Sequence, residues 1–223
     1  MTKLNKIGIL IFIFLFSLNV VGQKEYIFMN NSMLGFKVGG SYSNIALQPA
    51  IADITGEFSY SVGLSYFFSN KKNVGIQTDL LYNSRKWIET FNDSLNVTTD
   101  LQYIQFPLIT NISLGNGSFK YLINLGTYFA YNIDKTLESD LPIEHEYYES
   151  VLSRKEKKGD FGLIIGGSLR YFTNIGTFQL DARFEYGYQN LYDKDDSGFR
   201  FSNMSVIQIG LYYYFLNLNK TEK

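Results

Sequence analysis

The sequence predicts an all-β protein: an eight-stranded antiparallel up-and-down transmembrane β-barrel with short periplasmic turns and longer outer loops. Three observations carry that prediction. Residues 178–190 alternate without a break, with Phe178, Leu180, Ala182, Phe184, Tyr186 and Tyr188 in one file and Gln179, Asp181, Arg183, Glu185, Gly187 and Gln189 in the other. A period of two over that length is a strand with an apolar medium on one side and a polar one on the other. Eight such segments recur, separated alternately by tight polar turns and longer connections, which is the layout of an outer-membrane barrel. The composition is poor in charge (18%) and rich in aromatic rings (17%), as expected of a chain that places rings at two membrane interfaces.

Residues 1–22 read as a cleaved export signal. Lys3 and Lys6 precede an apolar run of about ten residues, and Val20-Val21-Gly22 offers a small residue before Gln23. The run is too short for a spanning helix, which needs roughly 20 residues. Residues 23–32 form a periplasmic lead, 33–216 the barrel, and 217–223 a polar tail. The absence of Cys excludes disulfides, thiolate chemistry and an N-terminal lipid anchor on Cys. A net charge of −1 gives no footing for a nucleic-acid partner.

The first strand is expected over 33–42, with Leu34, Phe36 and Val38 on one face. The second, 57–68, sets Phe58, Tyr60, Val62, Leu64, Tyr66 and Phe68 against Glu57, Ser59, Ser61, Gly63 and Ser65. The third covers 74–86, with Leu81 the exception to its alternation. The fourth, 98–113, contains Pro107, and a proline inside a sheet predicts a bulge there. The fifth covers 119–132, the sixth 160–172, the seventh 178–190 and the eighth 203–215. Tight turns follow the second, fourth and sixth strands. The longest and most charged connection is 133–158.

Alternation alone does not say which face points out, and a soluble barrel alternates too. The polar file is rich in Gly and Ser, which suits a crowded interior, and the ring-rich file would make a very large exposed patch in water. The apolar file therefore faces lipid. The lumen then holds Lys37, Glu57, Asp79, Arg85, Lys120, Arg170, Asp181, Arg183 and Glu185, a near balance of signs. Buried charges persist only when paired and hydrogen-bonded, so these residues are expected to form an ion-pair network that fills the barrel and fixes strand register. A proton or ligand path is the alternative.

Three segments, in order, resemble the PorT-like outer-membrane β-barrel family of Bacteroidetes-type bacteria. They are Gly35-Phe36-Lys37-Val38-Gly39-Gly40, Tyr103-Ile104-Gln105-Phe106-Pro107-Leu108, and Asp181-Ala182-Arg183 with Gly187 and Asn190 following. The resemblance implies a small OmpA-like eight-strand barrel in the outer membrane. One member of that family belongs to a gliding and secretion apparatus, so a component of such an apparatus is one implied role.

No catalytic constellation, metal-ligand set or cofactor motif is present, and a non-enzymatic role is expected. The only His, His145, lies between Glu144 and Glu146; a metal site or a lipid hydrolase would have to be built on it. Asp193 to Gly198 matches part of a calcium loop but lacks its ligand spacing and distal Glu. The leading expectation is a structural or interaction protein, surrounded by outer-membrane lipid and meeting a protein partner through its outer loops. A narrow pore lined by Arg85, Arg170 and Tyr212 is the alternative.

Overall fold

A computed structural model describes residues 31–91, 95–115, 117–193 and 198–217. The export signal and most of the periplasmic lead, the calcium-like loop apart from its ends, and residues 218–223 lie outside the described residues. The elements are β1 (Asn31–Gln48), β2 (Asp53–Ser69), β3 (Val74–Phe91), β4 (Leu95–Leu114), β5 (Phe119–Ser139), a short helix α1 (Tyr148–Leu152), β6 (Gly159–Thr173), β7 (Gly176–Gly187) and β8 (Phe201–Asn217). Each strand pairs antiparallel with the next, and β1 pairs with β8, so the eight form one closed ring. Met33 opposite Asn217 places both ends of the barrel chain at the tight-turn rim.

The outward face is apolar. Leu64, Leu80, Leu108, Leu125, Ile165 and Ile209 are all about half exposed, while Lys37, Asp79, Asp181, Arg183 and Glu185 are buried inside. Lipid therefore faces the apolar file. Rings mark two levels: Tyr121 and Tyr131 on β5, and Phe161 and Tyr171 on β6, stand ten residues apart along their strands. At a rise of ~3.3 Å per residue and a tilt of ~40°, that spacing spans about 25 Å, the height of a lipid-facing band. Near the inner level Phe178 packs on Tyr213 at 4.9 Å and Phe36 on Tyr213 at 5.7 Å. Near the outer level Tyr42 meets Phe58 at 5.2 Å and Tyr60 meets Tyr82 at 6.0 Å.

Five strands outrun the sequence expectation at the outer end. β1 continues to Gln48, β2 starts at Asp53, β3 runs to Phe91, β4 starts at Leu95 and β5 reaches Ser139. The connection expected over 133–158 is thus a strand as far as Ser139, and β7 ends at Gly187 rather than at 190. The reason is a change of medium. Within the membrane level β3 turns Ile76 and Leu80 outward and Gln77, Asp79 and Asn83 inward; above it, Trp87 and Phe91 point inward while Lys86 and Thr90 are outward and half-buried. The pleat continues, but the apolar side changes over from lipid to core. β6 and β7 stop near the outer ring level, and short segments fill the gap they leave. Asn132 N–H donates to Lys158 O (2.6 Å), Glu156 bridges to Tyr192, Lys157 N–H donates to Leu191 O (2.7 Å), and Leu191 N–H donates to Ser202 O (2.8 Å).

Pro107 causes no bulge. It sits opposite Tyr128 in register, and the irregularity on β4 lies at Gln102/Tyr103. On the β3 side the pairs on either side of Pro107, Thr78 with Leu108 and Leu81 with Gln105, keep one register.

The Gly39-Gly40 pair divides by face. A Cβ on inward-facing Gly39 would stand 2.4 Å from the Ile209 carbonyl oxygen, whereas on lipid-facing Gly40 its nearest neighbour would be 3.8 Å away. Gly39→Val should therefore lower the urea midpoint of the refolded barrel, because the β1–β8 seam must open to admit it. Gly40→Val should leave that midpoint within experimental scatter.

Candidate functional site in the filled lumen and capped mouth

The strand pleat turns alternate side chains into a space just wide enough to be filled by them. The inner end carries an apolar layer of Met33, Phe67, Leu122, Phe172, Tyr212 and Tyr214. Arg170 lies over it, its guanidinium 4.0 Å from the Phe67 ring centroid, and donates through Nε (2.8 Å) and Nη2 (2.5 Å) to Gln179 Oε1. Lys120 stays at the rim, where Nζ donates to the Gly115 carbonyl (3.3 Å).

The next layer brings together Lys37, Asp79, Asp181 and Arg183. Arg183 Nε donates to Asp181 Oδ1 (2.7 Å), and Nη2 reaches Asp79 Oδ2 (3.4 Å) while also donating to the Tyr212 hydroxyl. Asp181 Oδ2 accepts from Asn124 and Ser168, both at 2.8 Å. Asp79 accepts from Ser65 (2.6 Å), Gln77 (3.1 Å) and Tyr212 (3.1 Å). Lys37 lays its stem across Gly210 and donates to Gln208 (2.8 Å).

Above them stands a second ionic layer. Arg85 Nη1 contacts Asp160 Oδ2 at 2.5 Å and Nη2 lies 3.7 Å from Glu185 Oε2, which also accepts from Gln105 Nε2 (2.9 Å). Tyr128 donates to Asp160 (2.8 Å), and the Arg85 guanidinium stacks over Tyr103 at 4.6 Å and Tyr128 at 5.1 Å. An apolar layer including Ile45, Trp87, Leu101 and Met204 follows.

The mouth is closed from a loop. Arg154, just beyond α1, sends Nη1 to both oxygens of Glu89 (3.0 and 2.8 Å) with its guanidinium between the Phe199 (5.0 Å) and Tyr192 (5.7 Å) rings. Trp87 Nε1 donates to Glu89 from below (3.3 Å). Phe91, Val97, Leu141 and Val151 cap the stack.

Of the nine charged residues singled out in the sequence, Lys37, Asp79, Asp181 and Arg183 share one cluster, Arg85 and Glu185 share the layer above, and Arg170 and Lys120 lie nearer the inner rim. Glu57 belongs to none of these. It is half-buried where β2 leaves the membrane level, next to a register shift between Gly56 and Ser61 that breaks its file, and no ion pair to it occurs among the described residues. Sequence reasoning missed Asp160, Glu89 and Arg154. Asp160 is the second residue of β6 and pairs with Ala130. Glu89 continues the inward file of Asp79 and Arg85 on β3, and extending that file would have found it. Arg154 has no periodic signal, since it comes from a connection. His145 Nδ1 accepts the Tyr147 backbone N–H (3.3 Å), and its ring packs near Phe91 at 6.1 Å.

A closed eight-strand ring with a lipid-facing apolar band and a side-chain-filled lumen defines a small outer-membrane β-barrel protein. The model of the family described as the outer membrane protein beta-barrel domain matches residues 22–193, and the chain belongs to that family. Its place is the bacterial outer membrane. No curated protein matches the sequence. Among solved structures, OprG from Pseudomonas aeruginosa is similar at 13% identity and a TM-score of 0.48, covering 85% of this chain and 96% of that one. AlkL in DMPC bilayers is similar at 13% identity and a TM-score of 0.47, covering 92% and 99%. The attachment invasion locus protein Ail of Yersinia pestis, solved with the heparin analogue sucrose octasulfate, is similar at 14% identity and a TM-score of 0.45, covering 84% and 100%.

Two outcomes are expected. Removing one partner from a buried ion pair strands the other, at a cost of about 3–5 kcal/mol. Asp181→Ala should thus lower the unfolding temperature and urea midpoint of the refolded barrel, and an unchanged midpoint would count against the network. At the mouth, burial first and then the Glu89 carboxylate push the Tyr192 phenol above its ordinary value of 10.0. The unfolded chain then loses this proton first as pH rises, so the stability it confers is complete below about pH 10 and declines above it. Trp87 fluorescence should report loosening of the cap in that alkaline range, and Tyr192→Phe should flatten the profile.

Proposed function

We propose that the protein is a sealed, non-enzymatic barrel that works from its outer surface as a structural or interaction protein. The observation that supports this reading is the continuous stack from the Arg170 level, through Arg183 and Arg85, to the Arg154–Glu89 pair at the mouth. The charged groups of the two adjoining ionic layers engage one another, as the low-dielectric interior demands, and an apolar layer with Trp87 stands between them and the Arg154–Glu89 pair. The surface that meets a partner is then the cap: α1, the 140–158 connection and the exposed ends of β4 and β5.

The finer PorT-like kinship is also a proposal. Its motif residues Lys37, Tyr103, Asp181 and Arg183 are all buried in the lumen, so the resemblance rests on shared internal bracing. It supports a common barrel more directly than a common partner, and a secretion or gliding role would have to be read from the cap.

Planar-bilayer recording on the purified full-length barrel tests the sealed reading. Wild-type protein should give no steady conductance across the usual voltage range. Steady single-channel steps would overturn the reading in favour of the narrow pore.

A further inference from the structure

On the outside of the wall, just above the outer ring level, the β7–β8–β1 side carries a groove of about 770 Å³. β7 stops at Gly187, while β8 and β1 run on as a pair, with Ala46 opposite Asn203 and Gln48 opposite Phe201. The groove follows that step. Ala46, Gln48, Tyr186, Arg200, Phe201 and Asn203 are in its lining. Ala46 and Asn203 share the outward parity of Tyr42 and Ile207, so the groove belongs to the membrane side of the wall and not to the packed mouth.

Its lower wall is already a lipid contact. Tyr186 faces lipid and joins the outer ring level through Tyr188 and Phe161, with ring centroids 5.8 and 6.4 Å apart. Below it Phe184 and Ile207 are cross-strand partners on the same exposed face. A lipid whose chains lie on Phe184 and Ile207 brings its headgroup to the groove. The heights agree. Ala46 is four residues beyond Tyr42, ~10 Å along the barrel axis at ~3.3 Å per residue and a tilt of ~40°. The groove therefore rises from the ring level through a headgroup layer roughly 5–8 Å thick.

Charge selects the headgroup. The lining holds one cation, Arg200, and no carboxylate. The Arg200 backbone is fixed: its N–H donates to Gln48 O (2.7 Å) and its carbonyl accepts from Asn190 Nδ2 (3.3 Å). Its exposed side chain has no ion pair or hydrogen bond among the described residues. A guanidinium fork matches phosphate oxygens, and the Gln48 amide and Tyr186 hydroxyl are further donors. On the opposite side of the ring, the outward positions of β4 and β5 above the membrane include Asp100, Asp134 and Glu138, which disfavour an anion. The collar thus has one side suited to an anionic headgroup.

We propose that this groove seats the phosphate-bearing headgroup of one outer-leaflet lipid, with Arg200 on the phosphate and the chains along Phe184 and Ile207. The site lies outside the wall, so it stands apart from the sealed-barrel reading, and a conducting lumen would not decide it.

Full-length barrel in a neutral detergent is titrated with diphosphoryl lipid A, with phosphatidylglycerol and with the neutral digalactosyldiacylglycerol, and bound lipid is counted by native mass spectrometry. One copy of at least one phosphate-bearing lipid should bind saturably and more tightly than the neutral glycolipid. Arg200→Gln should weaken that binding about fivefold, the worth of one cation at an anionic lipid surface. Ala46→Phe, which fills the groove and keeps its charge, should weaken it by a similar factor. Lys155→Gln, which removes an exposed cation from the cap, should leave it unchanged. All three positions are exposed, and heat-modifiable gel migration confirms that each variant is folded. The proposal is overturned if no phosphate-bearing lipid saturates, if the neutral glycolipid binds equally well, or if either folded groove variant binds like wild type. It is also overturned if Lys155→Gln weakens binding as much as Arg200→Gln, or if inorganic phosphate alone displaces the lipid, which would make the groove a site for a soluble anion.

Discussion

A bilayer core offers no hydrogen bonds, so a strand can cross it only if both of its edges are paired. The β1–β8 seam meets that demand from Asn217 up to Gln48, and the rest of the molecule follows from it. Closing eight strands fixes a lumen too narrow for bulk water, and pleating turns every second residue into it. Inward polar residues cannot be left to solvent and must satisfy one another. The cluster around Arg183 shows how far they do so: two carboxylates share one guanidinium, whose Nη1 has no hydrogen-bond partner among the described residues, and the amides and hydroxyls of Gln77, Asn124, Ser65, Ser168 and Tyr212 take up carboxylate valences the cation does not reach. The glycines belong to the same logic, since Lys37 can lie across β8 only because residue 210 has no side chain.

The membrane half of this arrangement was legible in the sequence because lipid imposes a rule that residues display directly. Between the two ring levels the outward positions are apolar apart from a few Thr and Gly such as Thr127 and Gly40, so Phe178 through Tyr188 announces both the strand and its orientation. Asp181 and Arg183 could be assigned to the lumen by parity alone. What parity cannot supply is distance, and so the grouping of Arg85 with Asp160, 75 residues apart, was not readable. Glu57 shows the other failure. Its parity matches the lumen file, but a register shift beside it takes it out of the sequence of layers, and bulges leave no mark in a polar run.

Above the membrane the rule reverses, which is why the outer third of the molecule was misread as loop. Asp134 and Glu138 on β5 are exposed, while Leu137 turns in toward Phe91 and Val97. That is the ordinary pattern of a water-soluble sheet, with the apolar side inward. On β3 the pleat runs on unchanged through this boundary, whereas β5 takes one extra residue, Ile133, opposite the Gln102/Tyr103 step, and its inward parity changes there. The reversal scrambles a search for long apolar files: Trp87 and Leu101 fall on the parity reserved lower down for Asp79 and Gln105. The change of phase is itself a marker, and it locates the outer membrane boundary near Tyr82 and Tyr131 without reference to the aromatic rings.

The two halves also differ in what they can do. In the bilayer level each inward group is fixed by neighbours on adjacent strands, and any change propagates around the ring. At the mouth the closing residue comes from a connection, not a strand. Arg154 is held by one carboxylate and two rings, from β3, from the segment after β7 and from the segment before β8. A connection can vary in length and sequence without disturbing the ladder beneath it. Rigid bracing below and adaptable chemistry above are thus consequences of the same closed ring. The place where this barrel can change its outer surface is the place where its hydrogen-bonded wall gives way to loops.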